Sequence, residues 1–174
     1  MKNVKLEAKL SDEVMAFIAC RKSLHLASVD QAGEPYASYA PFAIGDNCLY
    51  ILISDIAVHA VNLRLNPIAS VLIVEDEDSA GELFARIRVN YKVSAQLLAV
   101  DTPEWTAGID SLVARHGSRS QSLSELADFK LFKLVPKSGR YVKGFGRAYQ
   151  LAGESLAGES IDHLQDGHQK RDVA

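Results

Sequence analysis

The sequence predicts a mainly β protein, a small barrel of short antiparallel strands with helices outside it. Strict apolar/polar alternation marks one strand beyond argument: Ile87, Val89, Tyr91 and Val93 interleave with Arg86, Arg88, Asn90 and Lys92. Tight-turn signals separate further short apolar stretches, at Asp30-Gln31-Ala32-Gly33 and Gly45-Asp46-Asn47. Helical periodicity occurs only in blocks inserted between those stretches, which favours a barrel with peripheral helices.

Ser11-Asp12-Glu13 reads as a helix start, a hydroxyl cap followed by acids that the helix dipole favours. Val14, Phe17, Ile18 and Arg21 share one face, so this helix runs to about Lys22. Residues 24–29, 35–44 and 48–54 form a three-stranded meander. A short helix with Val58, Val61, Asn62 and Leu65 follows, capped by Ser54 or Asp55 and ended by Asn66-Pro67. Residues 68–74 are a buried strand. The run Glu75-Asp76-Glu77-Asp78 reads as a solvated loop, since it lacks the alternate oxygen ligands and glycine of a calcium loop. After the alternating strand, Thr102-Pro103-Glu104 opens a helix with a cap, proline at its first position and an acid at its second. Trp105, Ile109, Leu112 and Val113 form its stripe, and His116-Gly117 closes it. Residues 129–135 and 140–151 are two strands joined across Pro136-Lys137-Ser138-Gly139. Leu-Ala-Gly-Glu-Ser occurs twice, at 151–155 and 156–160, and reads as a duplicated flexible linker. The organisation expected is a barrel domain over 1–150 and a flexible tail over 151–174.

Composition bounds the function. With 174 residues, 48% hydrophobic, the chain can bury one proper core and is not disordered. A net charge of −3 implies no broad basic surface, so nucleic acid is not an expected partner. No apolar run approaches the roughly 18 residues of a membrane span. The N-terminus, Met1-Lys2-Asn3-Val4-Lys5-Leu6-Glu7, has no apolar signal region. Cys20 and Cys48 fit no metal spacing and read as buried free thiols of a reducing cytoplasm. No Ser-His-Asp context, P-loop, His-Glu-x-x-His or paired cysteines are present.

Three blocks carry a family resemblance: Gly33-Glu34-Pro35-Tyr36-Ala37-Ser38-Tyr39-Ala40-Pro41-Phe42; His59-Ala60-Val61-Asn62-Leu63-Arg64-Leu65-Asn66-Pro67; and Asp128-Phe129-Lys130-Leu131-Phe132 followed by Tyr141-Val142-Lys143-Gly144-Phe145-Gly146-Arg147-Ala148-Tyr149. In this order the chain resembles the FMN-binding split-barrel superfamily of the pyridoxamine-phosphate oxidases. With its Gly167-His168 tail it resembles the HugZ/HutZ haem-utilisation family within it. The resemblance implies a homodimeric split β-barrel with haem near the subunit interface, degraded oxidatively with O₂ and an external electron donor so that iron is released. It implies His168 as the proximal iron ligand and Arg88 near the iron on the other face. Flavin-binding relatives carry an Arg-Lys pair where this chain has Val58-His59, so FMN is the less expected cofactor, although Arg64 is nearby.

The residues themselves leave alternatives open. His168 is either an axial ligand or the solvated histidine of a polar tail. Imidazole suits iron when a neighbouring acceptor fixes its tautomer, and Asp128 is the candidate acceptor or else a strand-edge carboxylate. Arg86 and Arg88 share a strand face, which is either solvated or a propionate and oxygen contact. Lys143 and Arg147 flank Gly144-Phe145-Gly146, a turn that either lets a flat ligand approach or marks a bulge. His59 faces either a dimer interface or solvent. His25 and His116 read as structural, and His163 is five residues from His168, a spacing that puts the two on different helical faces and argues against a shared metal site. The rival functions are an FMN-dependent oxidoreductase and a non-enzymatic haem carrier or store.

Overall fold

In the computed structural model, which describes residues 4–164, the sheet order is β3-β2-β1-β4-β5-β6-β7-β8, every neighbouring pair antiparallel. The strands are β1 Ser23–Val29, β2 Pro35–Ile44, β3 Leu49–Ser54, β4 Ile68–Val74, β5 Arg88–Leu97, β6 Phe129–Val142, β7 Ala148–Ala152 and β8 Ser160–Leu164. The helices are α1 Val4–Ala19, α2 Val58–Leu65, α3 Pro103–His116 and α4 Ser118–Ser124. β3 also pairs with β6, which closes a six-stranded antiparallel barrel. Closure leaves no free edge inside the ring, the usual solution to exposed strand hydrogen bonds. None of the helices among the described residues is long and apolar enough to cross a membrane.

The barrel depends on the length of β6. Residues 129–134 pair with β3 and residues 138–142 pair with β7, while β5 runs along both halves. The sequence predicted a break at Pro136-Lys137-Ser138-Gly139; instead the strand continues. Val93 pairs with Pro136 and Lys92 with Ser138, so Lys137 is the extra residue of a β-bulge. A bulge tolerates a proline that cannot donate, which is why Pro136 turns no chain here.

Helix starts were the weakest part of the sequence reading. α1 begins at Val4, well before Ser11, because Leu10 extends the buried stripe of Val14 and Ile18, all 2% exposed or less. That amphipathic face outweighs the local cap signal, and Ser11 instead donates to the carbonyl of Ala157 at 3.2 Å. α2 starts later than the predicted Ser54 or Asp55 cap, with Ala57 at its cap and no side-chain cap bond; the Ser54 hydroxyl donates to Asp128 and accepts from the Ile56 N–H in the preceding turn. α4 has the sequence Ser-Arg-Ser-Gln-Ser-Leu-Ser, with no apolar stripe to announce it. Thr102 caps α3 as predicted, accepting from the Trp105 N–H at 3.2 Å. Cys48 is buried as predicted, but Cys20 is exposed at the end of α1.

The inner faces of the barrel strands and one face of α1 form the main core, with Tyr91, Phe42, Phe132, Leu26 and Ile51 fully buried. A second cluster, with Tyr50, Leu112 and Leu131, lies under α3 outside the barrel. One buried pair is polar: the Asn62 amide donates to the Ser28 hydroxyl at 3.1 Å, at 4% and 0% exposure. It pins α2 to β1. Asn62→Ala leaves that hydroxyl without its donor and is expected to cost about 1–3 kcal/mol. Urea unfolding with an unchanged midpoint would show that the pair contributes nothing.

The duplicated pentapeptide is not a linker. Its first copy finishes β7. Its second copy inserts Leu156, 1% exposed, into the core, where the Leu156 carbonyl accepts the Tyr91 hydroxyl at 2.6 Å. The expected boundary at 150 falls inside β7, and residues 151–164 continue the sheet. Residues 165–174, His168 among them, lie outside the described residues.

Candidate functional site

A cavity of about 220 Å³ opens on the outer face of β5–β8, beside the β6–β7 turn. Its floor follows from strand register. Arg88 pairs with Val142, Val142 with Ala148, and Ala148 with Leu164. Directly paired residues point to the same side of a sheet. Val89, Tyr91, Tyr141 and Tyr149, one step away, fill the core, so this row faces outward. The next outward row is Asn90, Arg140, Gln150 and, on β8, Asp162, and Arg140 also lines the cavity.

The rim is aromatic and glycine-built. Phe84, from the short helical turn before β5, is 88% exposed, and Phe145 in the β6–β7 turn is 60% exposed. Gly144 and Gly146 take φ of 143° and 65°, which side-chain-bearing residues rarely adopt. The turn is closed by the Lys143 N–H to the Arg147 carbonyl at 3.0 Å and the Arg147 N–H to Gly144 at 3.2 Å. Arg88 is half-buried and donates to the Arg86 carbonyl at 2.9 Å, which fixes its guanidinium in the cavity. Arg140 is exposed and has no side-chain bond among the described residues.

The other sequence-predicted residues fall elsewhere. Arg86 does not share a strand face with Arg88, because β5 begins only at Arg88. Its guanidinium instead binds the Glu75 carbonyl, and it lines a separate basic concavity with Arg21, Lys22 and His25. Two acids of the expected solvated loop are likewise engaged: Glu75 accepts from the Ile87 N–H, and Asp76 pairs with Arg21 at 3.1 Å. Lys143 is paired with Glu13 at 2.5 Å, tying α1 to the β6–β7 turn. Asp128 accepts from Ser54 at 2.8 Å. It precedes β6, whose far end bears the Arg88 cavity, on the order of 40 Å away along a strand of that length. Within one chain Asp128 and Arg88 therefore do not share a site.

His59 lines a wide groove between β2 and α2 with Tyr36, Tyr39, Ile56 and Val58. Burial holds its imidazole below the ordinary histidine range. Ile56 is 87% exposed and Tyr39 67%. The nearby Arg64 is already paired with Asp55 at 3.3 Å. His163 sits against the Tyr149 ring with centroids 5.0 Å apart, and its Nε2 is 3.1 Å from the Gly146 carbonyl. His116 is held on the Phe42 carbonyl at 2.8 Å. Among the described residues, no group of three His, Cys, Asp or Glu side chains could hold a metal ion. Arg140 and Phe84 were not singled out in the sequence; the register that sets Arg140 against Asn90 comes from long-range strand pairing and carries no local signal.

Comparison with known proteins gives a consistent set. Residues 10–143 match the family described as pyridoxamine 5'-phosphate oxidase. A Vibrio cholerae protein described as heme oxygenase HutZ is 42% identical over 170 residues, 98% of this chain and 96% of that protein. That alignment necessarily includes β7 and β8, which the family match does not reach. Among solved structures, one described as HutZ, the heme storage protein from Vibrio cholerae, has a TM-score of 0.74 at 39% identity, covering 78% of this chain and 96% of its own. Campylobacter jejuni ChuZ has a TM-score of 0.83 at 29% identity, covering 95% of this chain and 67% of its own.

Proposed function

Because the chain belongs to the pyridoxamine 5'-phosphate oxidase family and aligns almost end to end with a heme oxygenase, we propose that it binds haem and degrades it oxidatively, releasing iron. The Arg88 cavity is the observation that carries this reading. Its walls suit a flat, amphiphilic dianion: two exposed phenylalanines, a glycine turn and two guanidinium groups. At about 220 Å³ it is smaller than the roughly 300 Å³ at which pockets for such ligands begin. One chain therefore offers part of a site, to be completed by the residues after Leu164 and by a second copy.

Both completions have support. β8 ends on Leu164, itself a lining residue, and His168 follows four positions later, within about 14 Å of chain. His168 would ligate the iron through a neutral imidazole nitrogen, and Arg88 would supply a polar contact in the same cavity. The second copy would sit on the β2–α2 groove, where Tyr39, Ile56, Val58 and Leu65 expose a patch of the kind that marks an interface. Asp128 and His59 both lie at this end of the barrel and would enter the haem site only from that copy. In the homodimer reading, Ile56→Glu shifts the sedimentation coefficient from dimer to monomer. A sedimentation coefficient already monomeric in the unaltered chain would remove the second copy from the site.

The chemistry of ring opening would belong to the iron and the porphyrin, with O₂ and electrons from an external donor. The protein's part is to bind, orient and ligate. The flavin reading lacks its phosphate clamp: Val58 and His59 occupy its positions, and Arg64 is engaged by Asp55. The test is the visible spectrum of the purified chain with added haem, then ascorbate and air. Haem uptake followed by loss of the Soret band and release of chelatable iron is the expected result. A Soret band unchanged over hours assigns storage instead. A flavin spectrum without haem uptake rejects the haem reading.

A further inference from the structure

We propose that Arg140 fixes the direction in which haem enters, by pairing its guanidinium with the propionate carboxylates. The inference rests on the haem reading above and adds to it the orientation of the ligand. Strand register gives the cavity two unlike ends. The Phe145 turn and the Phe84 segment lie at the end where β5 begins and β6 stops. The Arg88–Val142–Ala148–Leu164 row comes next, and the Asn90–Arg140–Gln150 row lies two residues further along the strands, about 7 Å away. One end is thus aromatic, and the other presents the Arg140 guanidinium to the cavity. Haem has the same asymmetry, with both carboxylates on one edge and vinyl and methyl groups opposite.

The two arginines of the cavity also differ in freedom. Arg88 has given a guanidinium nitrogen to the Arg86 carbonyl, whereas Arg140 has no side-chain bond among the described residues. Its directly paired neighbours, Asn90 and Gln150, are neutral amides; the carboxylate of this row, Asp162, stands one strand further, opposite Gln150. Asn90 is itself engaged, donating to Ser70 at 3.1 Å. An exposed guanidinium free on its fork is suited to a carboxylate, which it can hold through two parallel bonds.

Absorbance titration of the full chain with haem and with haem dimethyl ester, whose carboxylates are capped, tests the assignment. The unaltered chain should bind haem more tightly than the ester. Arg140→Ala should weaken haem binding about ten- to a hundredfold while changing ester binding little. Arg140→Lys should recover part of the loss, since it restores the charge without the fork. Equal losses for both porphyrins, or no loss for either, would overturn the role of Arg140 while leaving haem binding intact. Failure of the unaltered chain to take up either porphyrin would reject the haem reading and the orientation with it.

Discussion

His168→Ala is expected to abolish the iron–histidine stretch in the resonance Raman spectrum of the ferrous haem complex. Haem affinity should fall by more than about 100-fold, because removing even an outer partner of a metal ligand costs ten- to a hundredfold. The expectation has a geometric basis. Among the described residues, the histidine nearest the cavity in the sheet is His163, and its ring is already placed between Tyr149 and the Gly146 carbonyl. His25 lies on β1, His59 on α2, and His116 is held on the Phe42 carbonyl. The chain leaves β8 at Leu164, on the cavity wall, so the next histidine is the one in reach. His163→Ala should retain the stretch and serves as the control. An unaltered signal in His168→Ala, or its loss in His163→Ala alone, would move the ligand to β8.

The barrel was legible in the sequence wherever burial imposed a period. Val89, Tyr91 and Val93 point inward as their alternation requires, and β2 and β4 have the predicted bounds. What could not be read was set by pairing at long range. Pro136 looks like a turn residue until Val93 is placed opposite it and Lys137 is seen to be a bulge. Leu156 looks like a linker residue until Tyr91, remote in sequence, offers its hydroxyl. The same limit applied to the candidate site. Arg88 was singled out through a family resemblance, whereas the place of Arg140 in the cavity required the register between two strands, and the separation of Arg88 from Asp128 required the full length of β6.

That long-range coupling gives the largest expected stability effect, at Gly139. Gly139 lies opposite Tyr91 on the inward face, and a Cβ there would stand 2.8 Å from Tyr91 Cδ1 and 3.0 Å from Cε1. Tyr91 is wholly buried, so its ring has nowhere to retreat without opening the core. Burial also keeps its phenol protonated far above any working pH, so the hydroxyl is always available as a donor to Leu156. Gly139→Val must displace the ring or bend β6. Overpacking of this kind costs about 1–3 kcal/mol, and loss of the buried hydrogen bond adds about 1–3 kcal/mol. Tyr91→Phe separates the two contributions, since it removes only the hydroxyl. Urea midpoints should therefore fall in the order unaltered chain, Tyr91→Phe, Gly139→Val. The strain also has a route to the cavity, because the Leu156 connection leads directly into β8 and Leu164. Hydrogen exchange at the β7–β8 amides should accelerate in Gly139→Val more than at β1–β2. Uniform acceleration across the barrel would show that Tyr91 supports the core alone and does not hold the hairpin from which the tail departs.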